Sequence, residues 1–225
     1  MVITYLGGQF VKVQFGETTL AVNPPSKDSK FKSARFGADV VLACLNHPDF
    51  NGVPTVTHGS KEPFAILGPG EYEVKDIVVR GFATGSSYGG ERRVNTVYEV
   101  TMEGIKLLFL GALSSGELPA ALAEELDEID VLFLPVAEKG VLSPQAAEKL
   151  SVALEPRLVI PLPFEELAGP EGPRRGGADG AGKNALRQFL KEAGEEKTVP
   201  QEKLVLKRKD LEGKEGEVIV LKPAQ

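Results

Sequence analysis

Apolar and polar residues alternate with a period of two over Val11, Lys12, Val13, Gln14 and Phe15, and Phe15-Gly16-Glu17 supplies a turn before the β-rich stretch Thr18–Val22. Residues 1–22 therefore read as a hairpin. Asn23-Pro24-Pro25 then takes the chain out of the sheet, because proline cannot donate to a ladder. Ala38–Leu45 is a nearly all-apolar run of strand length, the pattern of a strand buried on both faces. Between Phe64 and Phe82 the turn signal Gly68-Pro69-Gly70 precedes a β-rich segment, Ile77–Val79. Asn95–Met102 and Ile105–Leu110 flank Glu103-Gly104 as another hairpin.

The period changes in the second half. Leu118, Leu122, Glu125 and Leu126 recur at helical spacing, with Ser115-Gly116-Glu117 marking the start. Asp130–Leu134 is a buried strand. Ser143 followed by Pro144 gives a capping serine and a first-turn proline, opening a helix that runs to about Leu154. Leu158–Ile160 reads as a strand that stops at Pro161. Residues 168–183 are glycine-rich with almost no large apolar side chain, the composition of a flexible surface loop. A helix over Ala185–Ala193 and a last strand pair, Lys203–Leu206 with Val218–Leu221, complete the chain.

An internal echo bears on architecture. The turn at Gly16, the strand Thr18–Val22 and the run opening at Asp39-Val40 repeat about ninety residues later as Gly104, Ile105–Leu110 and Asp130-Val131. Two related β/α halves packed sheet to sheet make an α/β, four-layer αββα sandwich, formed by residues 1–225 as one domain, with the ligand site where strand ends of both halves meet.

Composition narrows the function classes. Apolar residues are 42% and charged residues 26%, ordinary for a packed domain. The formal charge of −6, with no basic run longer than Lys207–Lys209, disfavours a nucleic-acid partner. Cys44 is the one cysteine, so neither a disulfide framework nor a thiolate cluster can form. The opening residues lack a basic, then apolar, signal pattern, and no apolar run approaches a membrane span, so a cytoplasmic protein without membrane contact is expected.

The ordered segments Leu6-Gly7-Gly8, Asn23-Pro24, Leu45-Asn46-His47-Pro48-Asp49-Phe50, Gly68-Pro69-Gly70-Glu71-Tyr72, Leu110-Gly111-Ala112, Ile129-Asp130-Val131, Leu132-Phe133-Leu134-Pro135 and Ile160-Pro161-Leu162-Pro163-Phe164 resemble the landmarks of metallo-β-lactamase-fold hydrolases, in particular the small lactonase-like branch. The resemblance covers roughly residues 1–165 and implies the αββα sandwich. It also implies where metal ligands would stand. Family members begin Leu-Gly-His, where this chain has Gly8, and carry Asp-Pro where it has Asn23-Pro24. Their metal loop, His-x-His-x-Asp-His, is here Leu45 to Phe50, so that His47 and Asp49 remain while Leu45 and Phe50 replace histidines. Their Gly-Asp is Gly111-Ala112, and the late histidine position is Pro163.

Zinc hydrolysis needs about three protein ligands and a bound water of lowered pKa. The chain has two histidines, and the second, His58, lies outside the motif, so a dinuclear site is excluded by counting. Orphaned histidines around an empty centre would carry a burial cost, and replacing them together with apolar side chains removes it. No metal or other cofactor is expected. The expected function is that of a pseudoenzyme, a hydrolase-like but non-catalytic protein that binds a small molecule or a protein, or assembles as a homo-oligomer. The vestigial site comprises Asn46, His47 and Asp49. The alternative is a divergent hydrolase using a reduced site at His47 and Asp49, either without metal or with a single weakly bound zinc completed by Asp28 or Cys44.

Other polar residues have plain readings beside sharper ones. His47 reads as a remnant hydrogen-bonded by Asp49, against metal ligation or binding of something else. Cys44 ends an apolar strand as a small buried hydrophobe rather than a nucleophile. Ser114 and Ser115 follow Gly111-Ala112-Leu113 toward the former site but have no His–acid partner at a motif spacing. Gly85–Gly90 lacks the lysine of a phosphate cradle and reads as a hairpin tip or site-rim loop. Arg92-Arg93 and Arg174-Arg175 are solvated charges or contacts for an anionic partner.

Overall fold

The computed structural model describes residues 1–60, 62–164 and 181–224, with backbone alone at 181–183. Two sheets face one another. In the first, β1 (Val2–Gly7), β2 (Phe10–Phe15) and β3 (Thr18–Val22) form an antiparallel meander, and β4 (Val40–Leu42) and β5 (Phe64–Ile66) continue it in parallel. The chain crosses at Leu67-Gly68-Pro69 into the second sheet, where β6 (Gly70–Val74), β7 (Ile77–Ser86), β8 (Arg93–Met102) and β9 (Ile105–Phe109) are antiparallel neighbours. Past α1 (Ala120–Glu125), β10 (Val131–Val136) pairs parallel with β9. Past α2 (Pro144–Leu154), β11 (Leu158–Pro163) pairs parallel with β10. After α3 (Ala181–Glu192) come two short strands, β12 (Leu204–Val205) and β13 (Glu217–Val218).

The facing sides of the sheets bury one apolar core, in which Tyr5, Val13, Leu42, Phe50, Tyr98, Phe109 and Phe133 are all nearly inaccessible. Phe109 and Phe133 stack at 4.2 Å. Outside the second sheet, α1, α2 and α3 bury Leu122, Ala147, Leu150, Ala185 and Phe189 against it. Outside the first, the cover is the connecting segments around Ala34, Phe36, Val53 and Val56, which pack on Phe10, Ala21 and Val41 and include a single 3-10 turn at Val53–Val56. Helix α2 begins as its sequence requires, with Ser143 Oγ accepting from the Ala146 N–H and Pro144 in the first turn. Among the described residues no helix is long and apolar enough to cross a membrane.

Four expectations need correction. Helix α1 opens at Ala120, after Pro119, and not at Ser115-Gly116-Glu117. The strand expected to stop at Pro161 runs through Pro161 and Pro163 to the end of β11. Leu158 N–H donates to Asp130 on the β10 side and Phe164 N–H to Val136, so by alternation Pro161 and Pro163 face the other side, where β13 has already ended and no donor is required. The final strands do not pair with each other: β12 adds antiparallel to β1 and β13 parallel to β11, so each extends a different sheet, and a bridge between Gln201 and Leu221 alone links their ends. Two residues each leave too little alternation to specify a partner from sequence. Helix α3 begins at Ala181, four residues ahead of the expected start, while the rest of the expected loop at 168–183 lies outside the described residues.

Candidate functional site

The ends of β1, β3, β4, β9, β10 and β11 reach the same edge of the sandwich, and the segments leaving them carry the residues singled out in the sequence. Asn23, at the end of β3, adopts a left-handed conformation (φ 55°), and its Oδ1 accepts from Cys44 N–H at 2.8 Å, tying the β3 exit to the β4 exit. Asn95 Oδ1 accepts from Ala112 N–H at 2.8 Å, and its amide donates to Leu110 O, which fixes the β9 exit. Gly111 (φ 63°) passes so close that a Cβ there would lie 2.4 Å from Cys44 Cβ. This packing, more than the modest opposing pull of the Asn23 side chain, governs Cys44: burial pushes its thiol up to about 12.

The β4 exit folds into a tight turn in which Phe50 and Asn51 N–H both donate to His47 O. Asn46 Oδ1 accepts from the Asn51 side chain at 2.8 Å. His47 Nδ1 accepts the backbone N–H of Asp49 at 3.2 Å and lies 3.5 Å from Asp49 Oδ2. The histidine is thus held by Asp49's backbone, because the carboxylate is committed elsewhere. Asp49 Oδ1 accepts from Ser29 Oγ at 2.5 Å, and Oδ2 accepts from the Tyr88 hydroxyl at 2.7 Å.

Around this polar pair stands a wall of rings. Tyr88 meets His47 edge-on at 5.0 Å and Phe50 at 5.3 Å, and Phe164 lies 5.0 Å from Tyr88 and 5.8 Å from Phe50. Phe31 joins from the β3–β4 segment, 5.9 Å from Phe164. Gly8 (φ 59°) sits under Phe31 so closely that a Cβ would lie 3.2 Å from the ring, so a histidine there would have to adopt a left-handed backbone and push the Phe31 ring aside. Leu45, Phe50, Ala112 and Pro163 are buried and offer no donor atom from their side chains.

The other candidates are dispersed. Asp28 and His58 are exposed. Ser114 Oγ accepts from Ser87 N–H at 2.9 Å and donates to Gly140 O at 2.8 Å, pinning the tip between β7 and β8 rather than presenting a nucleophile. Ser87 and Tyr88 belong to the glycine-rich segment Gly85–Gly90, which forms the end of β7 and a 3-10 turn at the hairpin tip. Among the described residues no three or more His, Cys, Asp or Glu side chains are grouped so as to hold a metal ion. The two retained donors therefore do not fit a hydrolytic zinc centre: one nitrogen of His47 is engaged, and each Asp49 oxygen accepts a hydroxyl. The sequence placed the Gly85–Gly90 tip at the site rim and Phe164 in the last landmark but gave no role to Tyr88 or Phe164, and Ser29 and Phe31 went unmarked. A tyrosine enclosed by Ser86-Ser87 and Gly89-Gly90 was the available signal, since a large ring in a glycine-rich tip needs something to pack on.

Residues 2–163 match the model of the beta-lactamase superfamily domain. No curated protein sequence matches the chain. Among solved structures, it is similar to a candidate Zn-dependent hydrolase of the metallo-β-lactamase superfamily from Thermotoga maritima, at 25% identity and TM-score 0.73 over 98% of this chain and 97% of that one. It is also similar in fold to a candidate metal-dependent hydrolase from Parabacteroides distasonis (14% identity, TM-score 0.63, covering 99% and 93%). A metallo hydrolase from Ignicoccus hospitalis shares the fold as well (19% identity, TM-score 0.58, covering 100% and 96%).

Proposed function

The chain belongs to the beta-lactamase superfamily, and from that premise we propose that it is a non-catalytic member that works by binding, without a metal centre. The observation that carries this reading is the ring cluster. Phe50 stands at a position where the family pattern has a histidine, and it packs on Tyr88 and Phe164, with Phe31 behind Phe164, over the ground where metal ligands would converge. Burying a ring of this size stabilises a domain by about 1.5–3 kcal/mol, whereas burying an unpaired polar ligand costs roughly 1–3 kcal/mol. Replacing ligands with rings therefore turns a frustrated cavity into packed core. Asp49 follows the same logic, as Ser29 and Tyr88 satisfy its carboxylate without a cation.

Metal analysis tests the reading. Protein purified without chelator and dialysed should hold zinc, manganese and iron far below one ion per chain. A stoichiometric ion that disappears in both His47→Ala and Asp49→Ala would refute it. A screen of phosphodiesters, lactones and thioesters against the same two variants separates the hydrolase alternative: turnover lost in both would favour an active reduced site.

A further inference from the structure

The chain as a whole carries a formal charge of −6, yet the two segments framing the His47–Asp49 turn reverse that sign. Residues 27–35 hold Lys27, Lys30, Lys32 and Arg35 against Asp28, and Arg92 and Arg93 follow Glu91 at the β7–β8 tip. With Asp49 included, these segments carry six cations and three carboxylates, and Arg93 is paired with Glu91 at 2.6 Å. Both segments are tethered to the site. Ser29, next to Lys30, bonds Asp49 Oδ1, and Arg93 donates to the carbonyl of Asn46, the residue before His47, at 3.3 Å. Lys30 and Lys32 are exposed, while Phe31 between them turns toward Gly8 and Phe164.

His47 adds a directed group. Its Nδ1 accepts the Asp49 N–H, an arrangement that leaves Nε2 as the ring's N–H donor. That nitrogen faces the tip at Gly89, where an added Cβ would lie 3.4 Å away, and the side chain keeps 21% of its surface accessible. The half-buried ring therefore offers a hydrogen-bond donor at Nε2 between two segments of net positive sequence charge, a combination that suits an acceptor anion. Asp49 opposes this from the Nδ1 side of the ring, where the Ser29 and Tyr88 hydroxyls donate to its two oxygens.

Resting on the metal-free reading above, we propose that this rim binds a small phosphorylated ligand, its phosphate accepting from His47 Nε2 in the field of Lys30, Lys32 and Arg92. Three separated point charges match a dianion better than a monocarboxylate. A long polyanion would meet the acidic remainder of the chain. The test is a two-dimensional 15N–1H NMR titration with phenyl phosphate and with inorganic phosphate at low salt, with and without EDTA, on the wild type and Lys30→Gln/Lys32→Gln. Saturable shifts at His47, Gly89 and Lys30 are expected, insensitive to EDTA, with affinity falling at least ~10-fold in the double variant. Absence of site shifts at millimolar ligand, or equal affinity in the variant, overturns the phosphate site and leaves the metal-free reading intact. Binding abolished by EDTA overturns both, since a cation would then hold the phosphate.

Discussion

Replacing Phe50 by alanine removes a fully buried ring from the centre of the cluster, with Tyr88 at 5.3 Å and Phe164 at 5.8 Å. The lost transfer free energy of a buried phenylalanine is about 1.5–3 kcal/mol. The contacts with Tyr88 and Phe164 add roughly 0.5–1.5 kcal/mol each. Together these give about 4 kcal/mol, within the ~3–5 kcal/mol typical of Phe→Ala in a core. For a domain of this size, each kcal/mol moves Tm by about 2–4 °C, so a fall of roughly 8–16 °C is expected. Urea unfolding followed by far-UV circular dichroism measures the free energy, and Phe50→Leu serves as control because it keeps most of the volume and should cost less than half as much. A loss below about 1 kcal/mol in Phe50→Ala, or a gain, would refute the claim that the ring is packed core rather than the lining of an open site.

Tyr88→Phe deletes the hydroxyl that donates to Asp49 Oδ2 at 2.7 Å and leaves a part-buried carboxylate with one hydroxyl partner; urea unfolding should show a loss of about 1–3 kcal/mol. Gly111→Ala forces a side chain into a left-handed backbone position 2.4 Å from Cys44 Cβ, so it should cost more than ~3 kcal/mol or abolish soluble expression, whereas Gly16→Ala, with open space at its Cβ, should cost only about 1 kcal/mol. Cys44, with its thiol pushed up to about 12 by burial, stays protonated in the folded chain at pH 8, so a thiol reagent should label it many-fold more slowly than in urea. The sign for stability follows: the unfolded thiol ionises near 9.0 and the folded one does not, so this contribution is fully present below pH 9.0 and is lost as pH climbs toward about 12. Urea titrations across that range should show stability falling in the wild type and a shallower fall in Cys44→Ala.

The sandwich was legible because its strands carry period-two or all-apolar patterns, as in Val11–Phe15 and Val131–Leu134, and because hairpin turns such as Glu103-Gly104 demand left-handed backbone that the sequence supplies. The replacements at Gly8, Leu45, Phe50, Ala112 and Pro163 were legible against the family pattern. What takes the place of the ligands was not. Tyr88 lies 39 residues from Asp49, and that contact exists only because β7 runs to Ser86 and its tip folds back over the β4 exit. Pro161 and Pro163 misled for a similar reason: whether a strand tolerates proline depends on which neighbour each N–H faces, a property of sheet order rather than of local sequence. The partners of β12 and β13 were equally a matter of tertiary packing.

The most direct measurement is a crystal structure of the protein grown with excess zinc, with anomalous data collected at the zinc edge. No ordered ion is expected within the roughly 2.0–2.2 Å coordination distance of His47 and Asp49, and the Tyr88–Asp49 hydrogen bond should be retained. An anomalous peak at that distance from both side chains, with Tyr88 or Ser29 displaced from the carboxylate, would contradict the metal-free reading.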